Sequence, residues 1–64
     1  KNSRPDKILI EGKNAIVLDF KTGVPRKSHE KQITHYAQLL LSMGYENVRK
    51  GLLYTEESEM IWVD

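Results

Sequence analysis

The feature that most limits the fold of this chain is a pair of short apolar runs, Lys7 to Glu11 and Ala15 to Phe20, separated only by Gly12-Lys13-Asn14. Ile8, Ile10, Ile16 and Val17 are β-branched, and a glycine followed by two polar residues is turn chemistry, so the runs read as two strands of a hairpin. With Gly12 and Lys13 as the two central turn residues, Ile10 faces Ala15, Ile8 faces Val17 and Asp6 faces Asp19. A three-residue loop would instead set Asp6 opposite Leu18 or Phe20 and send the two aspartates to different faces. The turn therefore decides whether the two acids meet.

Directly opposed residues have Cβ atoms about 4.5–5.5 Å apart, and like charges at that separation are destabilising unless something cationic lies between them. A divalent metal would remove the repulsion. Strand alternation also places Lys21 on the face that carries Asp19, with Arg4 opposite Lys21. Aspartate is depleted in strands, yet Asp19 ends the apolar run Ile16-Val17-Leu18, where packing alone does not call for it. Read without a site, Asp19 and Lys21 are a same-face ion pair and Asp6 follows Pro5 at a strand start. Read with one, they are carboxylates and an ammonium gathered at one edge of a sheet.

Thr22 to Lys27 reads as a loop broken by Gly23 and Pro25. The sequence then predicts a helix with Ser28 as N-cap, Glu30 in its first turn and Gly44 as the C-terminal cap. Ile33, Tyr36, Ala37 and Leu40 form its apolar stripe, with Leu39 and Met43 widening it. Gln32 lies one turn before Tyr36 on the edge of that stripe, so both can project towards the same end of the sheet. Tyr36 reads equally as a core residue with its hydroxyl at the boundary. An amide on a packing face needs partners, which favours a functional Gln32. His35 shares a face with Lys31, Gln38 and Ser42 and reads as a solvated side chain; His29 is near the loop and within reach of phosphate, but a surface role is favoured. Val48, Gly51 to Thr55 and Met60 to Val63 predict two further strands joined as a hairpin. Tyr54 and Trp62 have faces on which bases can stack, but in so small a domain they are assigned to the core or its rim. The expected architecture is α+β, in the order β-β-α-β-β, with one helix packed on a face of a mixed or mostly antiparallel sheet.

Arg4-Pro5-Asp6, then Asp19-Phe20-Lys21-Thr22-Gly23, then Gln32 and Tyr36 in a Gln-x-x-x-Tyr arrangement, resemble the nuclease domain of RecB/AddA-like helicase-nucleases in the PD-(D/E)XK superfamily. The three blocks occur in the family's order and cover nearly the whole chain. The resemblance implies a restriction-endonuclease-like fold in which Asp6 and Asp19 bind Mg²⁺ or Mn²⁺ and the backbone carbonyl of Phe20 adds a ligand. It implies that Lys21 assists the attacking water and that Gln32 and Tyr36 line the site and hold DNA; Arg4 stands where it would contact substrate. It further implies an exonuclease coupled to an ATP-driven helicase, with ATP used only outside this sequence and a second subunit as partner. The family carries a helical segment before the Arg-Pro-Asp block that supplies a His or Glu, and here only three residues precede Arg4. Residues 1–64 are accordingly expected to be a partial nuclease domain from near the C-terminus of a larger protein, and to be inactive alone.

Composition sets the remaining bounds. Ten basic and nine acidic residues give a net charge of +1, so bulk charge does not announce a nucleic-acid binder. The basic residues nevertheless gather at Lys1 and Arg4 and at Lys21, Arg26, Lys27 and Lys31, flanking the candidate site. There is no cysteine, which rules out a disulfide framework or a Cys-ligated cluster in this segment and argues against the iron-sulfur branch of the same superfamily. No apolar run approaches a membrane span and no signal pattern is visible, so a cytoplasmic setting is the default. The competing class is a catalytically silent module that keeps the fold to bind DNA or to support a larger assembly; a third is a stand-alone restriction-type endonuclease.

Overall fold

A computed structural model describes residues 5–63. Strands β1 (Lys7–Glu11) and β2 (Asn14–Lys21) are followed by the helix α1 (Lys27–Ser42), then by β3 (Asn47–Tyr54) and β4 (Glu59–Val63). The strands lie side by side in chain order in one four-stranded sheet. The sheet is mixed: β1 with β2 and β3 with β4 are antiparallel, whereas β2 and β3 run parallel. A parallel neighbour needs a crossover, and α1 provides it.

The first hairpin has the register that a two-residue turn dictates, with Ile8 opposite Val17, Ile10 opposite Ala15 and Glu11 opposite Asn14. Gly12 has φ of 61° and Lys13 does not share that sign, the pattern of a type II′ turn, whose twist matches the strands it joins. Alternation along β2 then sends Ala15, Val17, Asp19 and Lys21 to one face. In the parallel register Ala15 pairs with Val48, Val17 with Lys50, Asp19 with Leu52 and Lys21 with Tyr54.

The helix covers that face. Ile33 and Leu40 pack on Ala15, Val17, Leu52 and Tyr54, and these six are buried, as is Ala37. Burying a leucine or valine side chain of this kind contributes about 1.5–3 kcal/mol. The helix is already turning two residues before the expected cap: Arg26, in an extended conformation, is the N-cap without a side-chain bond, and its carbonyl accepts from the His29 N–H at 3.1 Å. Ser28 is thus inside the first turn. At the other end Gly44 adopts φ of 111°, its N–H donates to the Leu41 carbonyl, and the Tyr45 N–H donates to that of Leu40. These two bonds make a Schellman cap, which the positive φ of glycine permits. Leu39 and Met43 do not widen the apolar stripe; they are exposed, as is Leu41, because each lies about a quarter to a third of a turn from the centre of the buried face.

The opposite face of the sheet carries Leu9, Ile16, Leu18, Phe20, Leu53, Met60 and Trp62. Leu9, Phe20, Met60 and Trp62 are exposed, and the Arg49 guanidinium lies 4.2 Å from the Trp62 ring centroid. Gly51 is at the centre of this face, where a Cβ would come within 3.0–3.1 Å of Leu18, Met60 and Trp62. Among the described residues no helix is long and apolar enough to cross a membrane.

Candidate functional site

The chemistry-bearing side chains meet at the carboxyl ends of the parallel strands β2 and β3, beside the first turns of α1. Asp19 and Lys21 come from the last residues of β2, on the helix side. Asp6 precedes the first paired residue of β1, and the register that opposes Lys7 to Leu18 brings it alongside Asp19. Its Oδ2 accepts from the Phe20 backbone N–H at 2.9 Å. The Lys21 ammonium stands 3.0 Å from the Asp19 carboxylate and donates to the Gln32 side-chain carbonyl at 3.3 Å. The end of β2, the residue ahead of β1 and the helix therefore contribute to one cluster. Gln32 reaches it because it is on the flank of α1 that overhangs the end of β2.

The end of β2 is fixed from outside the cluster as well. Thr55 places both its N–H, at 2.9 Å, and its hydroxyl, at 3.3 Å, on the Lys21 carbonyl. Asn47 ties the other end of the parallel pair to Asn14 with a side-chain bond of 2.9 Å.

The two carboxyl groups influence each other, and their proton affinities are driven apart. Asp6 is held below its ordinary value by the carboxyl of Asp19, and secondarily by the Phe20 N–H. Asp19 is raised by burial and by its bond to Asp6, against the lowering effect of Lys21. Such a pair titrates as a unit, in two separated steps. A hard divalent cation between the oxygens would offset their charges, and two carboxylates with water completing the shell suit Mg²⁺ or Mn²⁺. Among the described residues no group of three His, Cys, Asp or Glu side chains is placed to hold a metal, so these carboxylates form a two-acid set.

Tyr36 follows Gln32 by one turn and is half-buried against the core; among the described residues no hydrogen bond joins it to the cluster. Arg4 lies outside the described residues. His35 is exposed on the outer side of α1, where with Lys27, Glu30, Lys31, Thr34, Gln38 and Val63 it borders an open hollow of about 500 Å³. That hollow is on the far side of the helix from the carboxylate pair and holds none of the cluster.

Sequence reading undervalued one pair. His29, for which the sequence favours a surface role, is half-buried: its Nδ1 is 3.1 Å from the Tyr54 hydroxyl, and the two rings lie 5.8 Å apart at 33°. Burial, Lys21 and Arg26 hold the imidazole below its ordinary value. Tyr54 is itself buried and is the register partner of Lys21, so His29 stands over the same strand ends as the carboxylates. The signal was present in the spacing, since His29 falls four residues before Ile33 and seven before Tyr36, on the stripe that faces the sheet.

None of the family models, curated proteins or solved structures compared with this chain matches it.

Proposed function

We propose that this chain carries the metal-binding half of a nuclease site and that its chemistry is hydrolysis of DNA phosphodiesters, in the manner of RecB/AddA-like helicase-nucleases of the PD-(D/E)XK superfamily and on a restriction-endonuclease-like fold. One observation carries the reading: Lys21 bridges Asp19 and Gln32, and Asp6 is bonded to the Phe20 N–H beside them, so two carboxylates, an ammonium and an amide gather at one sheet end.

Asp6 and Asp19 would hold Mg²⁺ or Mn²⁺, with the Phe20 backbone carbonyl as a further oxygen donor. The bound cation supplies charge neutralisation at the phosphate and acidification of water. Lys21 is placed by Asp19 and Gln32, and its ammonium offers donors to a scissile phosphate or to the attacking water. Gln32 keeps an amide N–H₂ for a phosphate or sugar oxygen while its carbonyl holds Lys21. Tyr36 lies on the same flank, and Arg4 precedes Asp6 in the chain; both are assigned to substrate contact. The setting that suits this chemistry is the nuclease module of an ATP-dependent helicase-nuclease acting in DNA repair or recombination in the cytoplasm, with a further subunit as partner.

The test is a titration of the chain with Mg²⁺ and Mn²⁺, followed by amide NMR. Shifts with Mg²⁺ and broadening with Mn²⁺ confined to Asp6, Asp19, Phe20, Lys21 and Gln32, and lost in Asp19→Asn, are the expected result. No localised response at millimolar metal would remove the metal-site reading. A second reading, a DNA-binding or structural module without catalysis, is favoured by the two-acid set, which leaves a metal held mainly by water. In a longer protein that cleaves DNA, Lys21→Ala distinguishes the two: cleavage retained in full would refute the catalytic assignment.

A further inference from the structure

We infer that His29 is a substrate-contacting residue of this site, held by Tyr54 so that its Nε2–H donates a hydrogen bond to a phosphate oxygen of a nucleic-acid strand lying against Lys21. The inference rests on the reading of the cluster as a phosphodiester site. It adds a residue that lies outside the Asp-x-Lys and Gln-x-x-x-Tyr blocks.

The argument begins with the Tyr54 hydroxyl. Tyr54 is among the most deeply buried side chains of the domain, and among the described residues its hydroxyl bonds to His29 Nδ1. A buried hydroxyl whose proton found no acceptor would lose about 1–3 kcal/mol. The arrangement that satisfies it has the hydroxyl donating to an unprotonated Nδ1. A neutral imidazole with Nδ1 bare carries its proton on Nε2. Tyr54 thus selects the tautomer, and the nitrogen left for a ligand is a donor.

Position points the same way. Tyr54 and Lys21 are register partners on adjacent parallel strands, and His29 stacks at a tilt over Tyr54. Lys21 and Arg26 are near enough to disfavour a charge on the ring, and Arg26 and Lys27 adjoin it in the chain. Lys21 and Arg26 thus offer an anionic strand positive charge beside His29, offset in part by Asp19, and both favour the neutral ring. It is a directional donor that adds no further positive charge beside Lys21. A side chain that served packing alone would not need a polar ring on the sheet-facing stripe, because a leucine or phenylalanine would fill the space without a hydrogen-bonding demand.

The experiment uses the chain labelled with ¹⁵N. Two-bond ¹H–¹⁵N correlations of the imidazole report the tautomer, and a short single-stranded oligodeoxynucleotide added with Mg²⁺ is the probe. The expected result is an Nε2–H tautomer in the free chain and a shift of that nitrogen on adding the oligonucleotide, together with shifts of the Lys21 and Gln32 side chains. His29→Ala should weaken binding about tenfold, the size of one hydrogen bond to a charged group. His29→Gln, whose amide can reach the same region as Nε2, should recover part of it. Tyr54→Phe keeps the ring in the core and should release the tautomer preference, while leaving the Mg²⁺ response at Asp6 and Asp19 intact. If Lys21 and Gln32 respond and His29 does not, or if His29→Ala binds as the parent does, this inference is overturned and the phosphodiester reading stands. If none of the three responds, the phosphodiester reading falls and takes this inference with it.

Discussion

Replacing Asp19 by asparagine should make the metal-free chain more stable at neutral pH, although it removes an ion pair. The ion pair with Lys21 is partly solvated, its two side chains being 22% and 16% exposed, and pairs of this kind contribute about 0.5–1 kcal/mol. Against that stands the repulsion between two carboxylates in contact. Unit charges about 4 Å apart repel by about 1 kcal/mol in water and by about 4 kcal/mol at the effective dielectric of a protein surface. Asp6 is exposed, so the value near 1 kcal/mol applies. The asparagine amide can also donate to Asp6, a bond contributing about 1 kcal/mol. The balance favours Asp19→Asn by about 1 kcal/mol, which for a domain of this size raises Tm by about 4–8 °C.

The sign depends on pH. Asp19 has a raised pKa in the fold, so its contribution to stability is full below the unfolded carboxylate value and is lost as pH rises through the folded one. Asp6 is lowered, so its contribution is full above the unfolded value and is lost as pH falls through the folded one. The parent chain should accordingly be most stable between the folded pKa values of Asp6 and Asp19, where the pair keeps one proton. The advantage of Asp19→Asn should appear above that range and vanish below it. Thermal unfolding followed by circular dichroism, in chelator and at low salt, measures both. A Tm for Asp19→Asn below that of the parent at neutral pH would refute the reasoning, because it would mean that Lys21 already compensates the pair.

Leu52→Ala should cost about 3 kcal/mol, enough to unfold much of so small a domain at room temperature by circular dichroism, whereas Leu9→Ala on the open face should cost less than about 1 kcal/mol. Gly51→Ala should cost about 1 kcal/mol in urea unfolding, since its Cβ would press at once on Leu18, Met60 and Trp62; an unchanged midpoint would show that these three side chains give way freely. Tyr36→Phe should leave the urea midpoint within about 0.5 kcal/mol and weaken binding of a single-stranded oligodeoxynucleotide. Loss of the fold in that variant would show that its hydroxyl is part of the core.

The local geometry of the carboxylate pair was legible because the turn that sets it is local. Gly12 is placed where a II′ turn needs it, and once the loop is two residues long the alternation of β1 and β2 leaves no freedom in which side chains face one another. The helix boundaries were legible only at the end where glycine adopts a positive φ. At the other end Ser28 offers a cap that the chain does not use, because the helix begins directly after Pro25 and Arg26. The parallel pairing of β2 with β3 had no local signature: it joins residues thirty-three apart, such as Asp19 and Leu52, and depends on which side of the sheet α1 returns to. The same distance hid His29. Its partner Tyr54 lies twenty-five residues away, so a histidine in a first helical turn read as a surface residue until the crossover set it over the end of β3.

The two halves of the carboxylate pair are built to different stiffness. Asp19 belongs to a strand with neighbours on both sides, and Thr55 clamps the carbonyl two residues further on. Asp6 lies outside the paired part of an edge strand and is oriented by one bond from the Phe20 N–H. A cation bound there as proposed would find one wall of its site prefabricated and would have to still the other, at the cost of the entropy of Asp6. Any neighbouring segment that buttressed Asp6 would tighten cation binding without touching the cation.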